Sequence, residues 1–440
     1  MLCSLAMTKF KVELAISQRL RRRLHKGLSI FMKGSLMTTN NKFMLSMATI
    51  AILSGASVAL GAEVELKVEQ DKLQLGTQQV EIKGGTANVA PSDTDKAGPV
   101  AIKTTIGNTI GTDTMTQLNI TAKEAAVNVG TASQGAAVSI GGTAPTDGAA
   151  SADGYGFDIN AKSLTTAGAA SPNGTELNVN ADSSITTTDG ATLGANSTIN
   201  IANGKNLTVN GGLTTSDTTS KVSVNGGSLD LKGDLTATNG NISLGENGAL
   251  NVTGKLTGGT AGTISLSGGT MSVGGVLDFE NKSTTIDLDG GTLNVNGGGS
   301  LVGDKLTLTN GGTLNFGAGT NASADKPTTT TISGAVTTNG TDKALNINLS
   351  KNSQLTFSGD LTLATKTNVD DLDKITLGGG SLSVAKITAD ATNLNTLGGG
   401  VINFTGDGSK ITNDLTIASG TTLKFSSSTN TTGTTFDTLK

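Results

Sequence analysis

The sequence predicts an all-β chain wound into a right-handed parallel β-helix of about 21–22 residues per coil. A helical leader and signal segment precedes it. Three observations predict this fold. Aliphatic residues recur at Leu164, Ile185, Leu207, Leu229, Leu250, Met271, Leu293 and Leu314, in steps of 21 or 22. A low-twenties period held over so many steps is the mark of a solenoid, whose repeats each stack on the last. Around the ladder, Gly-Gly-Ser/Thr is followed by an apolar–polar–apolar triplet, as in Gly226–Leu231, Gly268–Val273, Gly290–Val295 and Gly311–Phe316. Alternation over a few residues bounded by glycine reads as a half-buried strand. The paired glycines are expected to supply the positive-φ backbone of a sharp corner.

Two further triplets complete the coil. Upstream of the glycines lie Ile199-Asn200-Ile201, Val222-Ser223-Val224, Ile242-Ser243-Leu244, Ile264-Ser265-Leu266, Ile286-Asp287-Leu288 and Leu306-Thr307-Leu308. Six positions after the ladder come Leu213, Leu235, Leu256 and Leu277. Three short strands and three corners then make a coil of triangular section. Inward aliphatics stack in columns, and outward Asn, Ser, Thr and Asp form polar rows. At about 4.8 Å per rung, the roughly 280 residues from Leu164 onward would give about 13 coils and a rod near 60 Å long. A coil's few aliphatics contribute about 1.5–3 kcal/mol each. Each ordered residue costs about 1–2 kcal/mol of backbone entropy, so stability must come from pairing between coils. Beyond Leu314 the same register is read through Val336, Leu355, Leu382, Ile402 and Leu423. Thr365–Asp373 reads as a corner loop extruded from the longest of these steps.

Residues 1–42 form an extended basic leader, with nine Lys or Arg and one acid, Glu13. Between Lys9 and Lys33, apolar residues interleave with Arg19, Arg21, Arg22, Arg23 and Lys26, a pattern for a basic amphipathic helix on anionic lipid. The other reading is a true start at Met32 or Met37. Residues 43–62 are the hydrophobic region of a signal peptide. Small residues follow in Ala59-Leu60-Gly61-Ala62, placing cleavage at or one residue before Glu63. The alternative, a membrane anchor, is disfavoured by the Ser, Thr, Gly and Ala content and the marginal length.

Residues 63–163 read as irregular N-terminal coils with loop insertions. Val64–Val68 and Val80–Ile82 alternate, and Gly84–Val89 matches the repeat, so this stretch is the start of the solenoid or its cap. Four of the five prolines fall between Pro91 and Pro172, while Leu118-Asn119-Ile120 and Val127-Asn128-Val129 keep the triplet pattern. Loops inserted into a scaffold are the usual place for specific contacts. Residues 164–440 read as the regular repeats.

Composition excludes much chemistry. Aromatics are 2% and Trp is absent, which a thin solenoid interior tolerates and an ordinary globular core does not. Beyond residue 62 the chain holds 22 basic and 34 acidic residues, a net −12, and no Arg. Such a body is a poor nucleic-acid binder. Cys3 and His25 are the only Cys and His, and both precede the expected cleavage site. The body therefore has no disulfide, no Cys/His zinc site and no His-based catalysis. No P-loop, His-Glu-x-x-His or serine-protease signature occurs, and Gly297–Gly299 reads as a corner. The chain is not expected to be an enzyme, and no catalytic, cofactor-binding or metal-ligating residue is assigned. Asp370, Asp371 and Asp373 could bind calcium, against the plainer reading of a solvated acidic loop. Tyr155 and Phe157 read as loop anchors, with ligand contact as the alternative. Asn119, Asn173, Asn196, Asn206, Asn251 and Asn281 head Asn-x-Ser/Thr sequons, at a frequency expected by chance.

The basic leader, the cysteine-free Gly/Asn/Thr/Ser body and the Gly-Gly-Thr-Leu-Asn-Val rungs together resemble the passenger region of bacterial autotransporters, the type V secreted, adhesin-like proteins. The resemblance is one of pattern over nearly the whole chain. It implies Sec-type export and display at the cell surface of a Gram-negative bacterium, on the outer membrane or released outside. It further implies an outer-membrane translocation barrel, and a host or neighbouring-cell protein or glycan as partner. The passenger would present a non-catalytic surface for adhesion or aggregation. Such proteins end in a barrel with an aromatic terminus, whereas this sequence stops at Phe436–Lys440 in mid-repeat. It is read as a truncated fragment, as a partner to a separately encoded barrel, or as secreted otherwise. Two other classes stand beside this reading: a structural surface-layer or biofilm matrix protein, and a carbohydrate-active β-helix enzyme.

Overall fold

A computed structural model describes strands between Val64 and Ile110, then residues 113–140, 156–170, 174–308, 310–338, 343–363 and 373–390. It also describes segments between 394 and 426 and the strand Thr435–Leu439. All belong to the unit Ala59–Lys440. The leader 1–42 and the signal segment 43–62 lie outside the described residues.

This unit is a parallel β-solenoid of about 11 turns. One regular coil runs through Lys221–Val224, Ser228–Leu231 and Leu235–Ala237, here called faces A, B and C. Each strand pairs in parallel with its counterpart one coil away. Face A forms a nine-stranded sheet, and faces B and C belong to a second, larger one. Within each strand the burial alternates because successive side chains point to opposite sides of the sheet.

The inward positions stack as the periodicity predicts. On face A, Leu177, Ile199, Val222, Ile242, Ile264, Ile286 and Leu306 lie in one column. On face B the column runs Leu207, Leu229, Leu250, Met271, Leu293, Leu314. On face C it runs Leu213, Leu235, Leu256, Leu277. All of these are at most 5% exposed.

The first two ladder positions are corrected. Ile185 pairs with Ile159 and Val209, and Leu164 lies on face C between Val127 and Ala191. The coil there is longer: Asp158 and Ser184, one rung apart, are separated by 26 positions. The regular spacing therefore linked side chains on different faces. The register beyond Leu314 is corrected as well. Leu314 pairs with Ile347, and Val336 pairs with Leu361 instead. The adjacent rung partners Asn315 and Asn348 are 33 positions apart. Leu355, Leu382, Ile402 and Leu423 do stack in order, but on the face C column through Gly299 and Thr330. Corner insertions lengthen these coils, which is why about 11 turns form where uniform coils gave more.

The N-terminal coils keep their triplets. Leu118 and Ile120 pair with Phe157 and Ile159, while Val127 pairs with Leu164. Ala87 and Val89 pair with Leu118 and Ile120, so Gly85–Val89 is a true face B strand. Ahead of it, Val64–Glu69 pairs in parallel with Val100–Ile102, then turns back through Lys72–Leu75 and Gln78–Glu81 in antiparallel pairing. An antiparallel meander at the end of a parallel stack covers edge groups that would otherwise template further pairing. This is the cap.

The expectation that both corner glycines supply positive φ holds at Gly311 and Gly312, at 71° and 131°, but at the Gly226, Gly268 and Gly290 pairs only the first is left-handed. The first position of the corner between faces A and B is left-handed in six successive coils: Gly204, Gly226, Asn247, Gly268, Gly290 and Gly311, at φ from 60° to 78°. The second position is a close approach. A Cβ on Gly291 would be driven into the Leu266 carbonyl oxygen and lie 2.5 Å from Leu266 Cβ; one on Gly269 would lie 2.6 Å from Leu244 Cβ.

Candidate functional site

With the interior filled by aliphatics, the chemistry available to a partner lies on the outward rows and corners. The face B row reads Asp158, Ser184, Thr208, Asp230, Asn251, Ser272, Asn294, Asn315, Asn348. Much of it is bonded to itself. Asn251 Nδ2 donates to Asp230 Oδ1 at 2.8 Å, and Asn206 Nδ2 donates to Asp230 Oδ2 at 2.7 Å. Asn294 Nδ2 donates to Ser272 Oγ, Asn315 Nδ2 to Asn294 Oδ1, and Asn348 Nδ2 to Asn315 Oδ1, at 2.6–2.9 Å. The face C row carries Thr165, Thr192, Thr214, Thr236 and Thr257 in consecutive coils. These rows are short, polar and nearly uncharged. The ion pairs Lys162–Asp189 and Lys386–Asp360 are solvent-exposed, and such pairs contribute about 0–1 kcal/mol; Lys255–Asp278, at 2.6 Å, is half-buried.

Residues singled out in the sequence are placed as follows. Phe157 is 1% exposed and sits in a strand, not a loop; its N–H donates to Ser183 Oγ. Tyr155, Asp370 and Asp371 lie outside the described residues. Asp373 does not belong to a loop: it opens the strand Asp373–Thr376, is 1% exposed, and accepts the Leu345 N–H at 2.8 Å. That role is structural. Among the described residues no three acidic, His or Cys side chains gather as a metal site. Of the sequon asparagines, Asn196 donates to Gly168 O, and Asn206 and Asn251 donate to Asp230, so these amides are engaged in the coil. Gly298 and Gly299 are a left-handed corner.

Sequence reasoning missed a set of buried hydroxyls at the corner between faces C and A. Thr175, Ser197, Ser220 and Thr284 are at most 1% exposed. Their hydroxyls donate to the corner carbonyls of Ala167, Ala195, Asp217 and Ala261 respectively. The hydroxyls add to what these carbonyls already accept, since Ala195 O also takes the Gly168 N–H of the neighbouring coil and Asp217 O the Ser220 N–H, and a buried hydroxyl left unpaired there would itself be costly. In the same turn Asp217 accepts both the hydroxyl and the N–H of Thr219. Those bonds, the hydroxyl first, hold its carboxyl below its ordinary pKa.

The corner between faces B and C differs sharply in one coil. It has three residues in most regular coils, as between Leu231 and Leu235 or Val273 and Leu277, but eleven between Phe316 and Thr328. This insertion and the corners of the preceding coils line a shallow, open cleft of about 530 Å³. The floor is Gly274 and Gly297; Asn296, Thr320, Asn321, Lys326 and Thr328 stand around it. No family model, curated protein or solved structure matches the chain.

Proposed function

We propose that this chain is an exported surface rod of the autotransporter-passenger type, whose outward rows and inserted corners make non-catalytic adhesive contacts. The observation that carries this is the division of labour in the coil. The interior is filled with aliphatics and bonded corner hydroxyls, while the outward rows repeat short Asn, Ser, Thr and Asp side chains. A body without His or Cys lacks imidazole bases and thiol nucleophiles. What remains is repeated hydrogen-bonding surface, and repetition turns weak contacts into avidity. The basic leader and the apolar segment 43–62 support export.

Expression in a Gram-negative host, with the chain joined to an outer-membrane translocation barrel, tests the reading. Cleavage near Glu63, accessibility of the body to external protease, and clumping or surface attachment are the expected results. Removal of residues 1–62 should hold the protein inside. Retention of the full-length chain in the cytoplasm, or display without any gain in adhesion, would refute it.

A further inference from the structure

We propose that the cleft beside the 317–327 insertion binds an acidic sugar, with Lys326 taking its carboxylate. This names a partner class for the adhesive reading and rests on that reading for its biological setting. The cleft is built. Ala322 N–H donates to Gly319 O at 3.0 Å, Ser323 and Lys326 exchange backbone hydrogen bonds, and Gly319 N–H donates to Thr328 Oγ1 at 2.7 Å. The insertion is thus ordered before any ligand arrives, which lowers the cost of binding. Its floor has no side chains. A Cβ on Gly297 would be driven into the Gly275 carbonyl and lie 2.7 Å from Gly274 O, so the coil requires glycine there. The volume, about 530 Å³, falls within the range of small-ligand sites.

The chemistry of the wall selects the class. Asn296, Asn321, Thr320 and Thr328 offer both donors and acceptors, the set that hydroxyl groups need. Lys326 is the only charged residue lining the cleft, on a body with a net charge of −12. Its ammonium makes no ion pair among the described residues. The adjacent Asp325 does not line the cleft. No aromatic residue lines it, which removes the platform that nucleobases stack on. One cation is too few for a polyphosphate chain, whose binding scales with the number of neutralised phosphates. A ligand rich in hydroxyls with a single carboxylate fits what is left.

The test uses the purified chain from residue 63 to 440, with glucuronic acid and N-acetylneuraminic acid as acidic probes and methyl glucoside as the neutral one. Binding is read by saturation-transfer NMR and calorimetry. The acidic probes should bind at least several-fold more tightly than methyl glucoside. Lys326→Gln should weaken them by about tenfold, the usual worth of a charge-assisted hydrogen bond, and leave methyl glucoside unchanged. Asn321→Ala, on the exposed loop, should weaken all three. Lys221→Gln, exposed at the start of the face A strand Lys221–Val224, should change nothing. The proposal is overturned if neither acid binds at tens of millimolar, if the acids and methyl glucoside bind alike, or if Lys326→Gln leaves the acids unaffected. Probe binding by a chain that is never exported would sink the adhesive reading alone. Adhesion without probe binding would sink this inference alone.

Discussion

Neighbouring glycines in one corner should respond unequally to alanine. Gly290 has φ +72°, and a Cβ there would meet nothing closer than 4.0 Å. The difficulty is conformational: left-handed backbone costs an ordinary residue about 1–2 kcal/mol. Ala also restricts the unfolded chain, returning about 0.4–1 kcal/mol. Gly290→Ala should therefore destabilise by about 0.5–1 kcal/mol. Asn tolerates this region, and Asn247 occupies the equivalent position at φ 60°, so Gly290→Asn should fall within about 0.5 kcal/mol of the parent.

Gly291 poses the other problem. Its backbone is not left-handed, but its Cβ would be driven into the Leu266 carbonyl, with Leu266 Cβ at 2.5 Å and Gly269 O at 2.9 Å. A Cβ has no rotamer by which to escape. The backbone cannot easily move either, because Thr292 N–H donates to Gly269 O at 2.8 Å and Thr313 N–H to Gly291 O at 2.9 Å. Overpacking costs about 1–3 kcal/mol, and these pins put Gly291→Ala near the top, at about 2–3 kcal/mol. Urea unfolding followed by circular dichroism, with slopes compared to ensure a common transition, gives all three values. The stacking argument is refuted if Gly291→Ala is milder than Gly290→Ala, or if Asn and Ala at position 290 cost the same.

Other perturbations follow from the same geometry. Leu250 is fully buried between Leu229 and Met271, so Leu250→Ala should cost about 3 kcal/mol, against less than about 1.5 kcal/mol for the outward Asn251→Ala; equal urea midpoints would contradict the inward and outward assignment. Thr284 Oγ1 accepts the Gly259 N–H and donates to Ala261 O, so Thr284→Val should cost about 1–3 kcal/mol for stranded buried groups, while Thr284→Ser should recover most of it. Asp217 has its folded pKa lowered by the Thr219 hydroxyl and N–H. Its stabilisation is therefore present above the unfolded pKa and fades as pH falls through the folded one, and it is small because the group is exposed. Asp217→Asn should flatten the pH dependence of the melting temperature below about pH 4, and an unchanged slope would count against the assignment.

How much of this was legible in the sequence depends on arc length. Leu207 through Leu314 could be read because those coils are uniform, so spacing and stacking coincide. Leu164 and Ile185 could not. Their separation matches the regular period, yet the coil between them is longer than that period, as the 26 positions from Asp158 to Ser184 attest. An apolar side chain does not announce which of three faces it belongs to. Val336 failed for the same reason, since the corner inserted between Phe316 and Thr328 advances the numbering without advancing the rung. Periodicity therefore reports the scaffold and is blind where the scaffold is interrupted. The corner hydroxyls of Ser197, Ser220 and Thr284 were hidden differently, because Ser and Thr are equally common on outward rows and only the backbone direction tells the two settings apart.

That blindness falls on the positions that can give a solenoid its specificity. A uniform stack offers the same row to every partner along its length, so contacts made there are repeated but indiscriminate. Discrimination needs a place where the repeat breaks while the coil beneath stays rigid. The 317–327 corner meets both conditions: Leu293, Leu314 and Ile347 remain stacked beneath it while the chain detours around the cleft. Its signal in the sequence was present, as a rung step of 33 positions from Asn315 to Asn348 where the step before it, Asn294 to Asn315, is 21, and an exposed Lys326 before Pro327 at the far end. It could be read as a site only once the columns on either side had fixed which residues were extra.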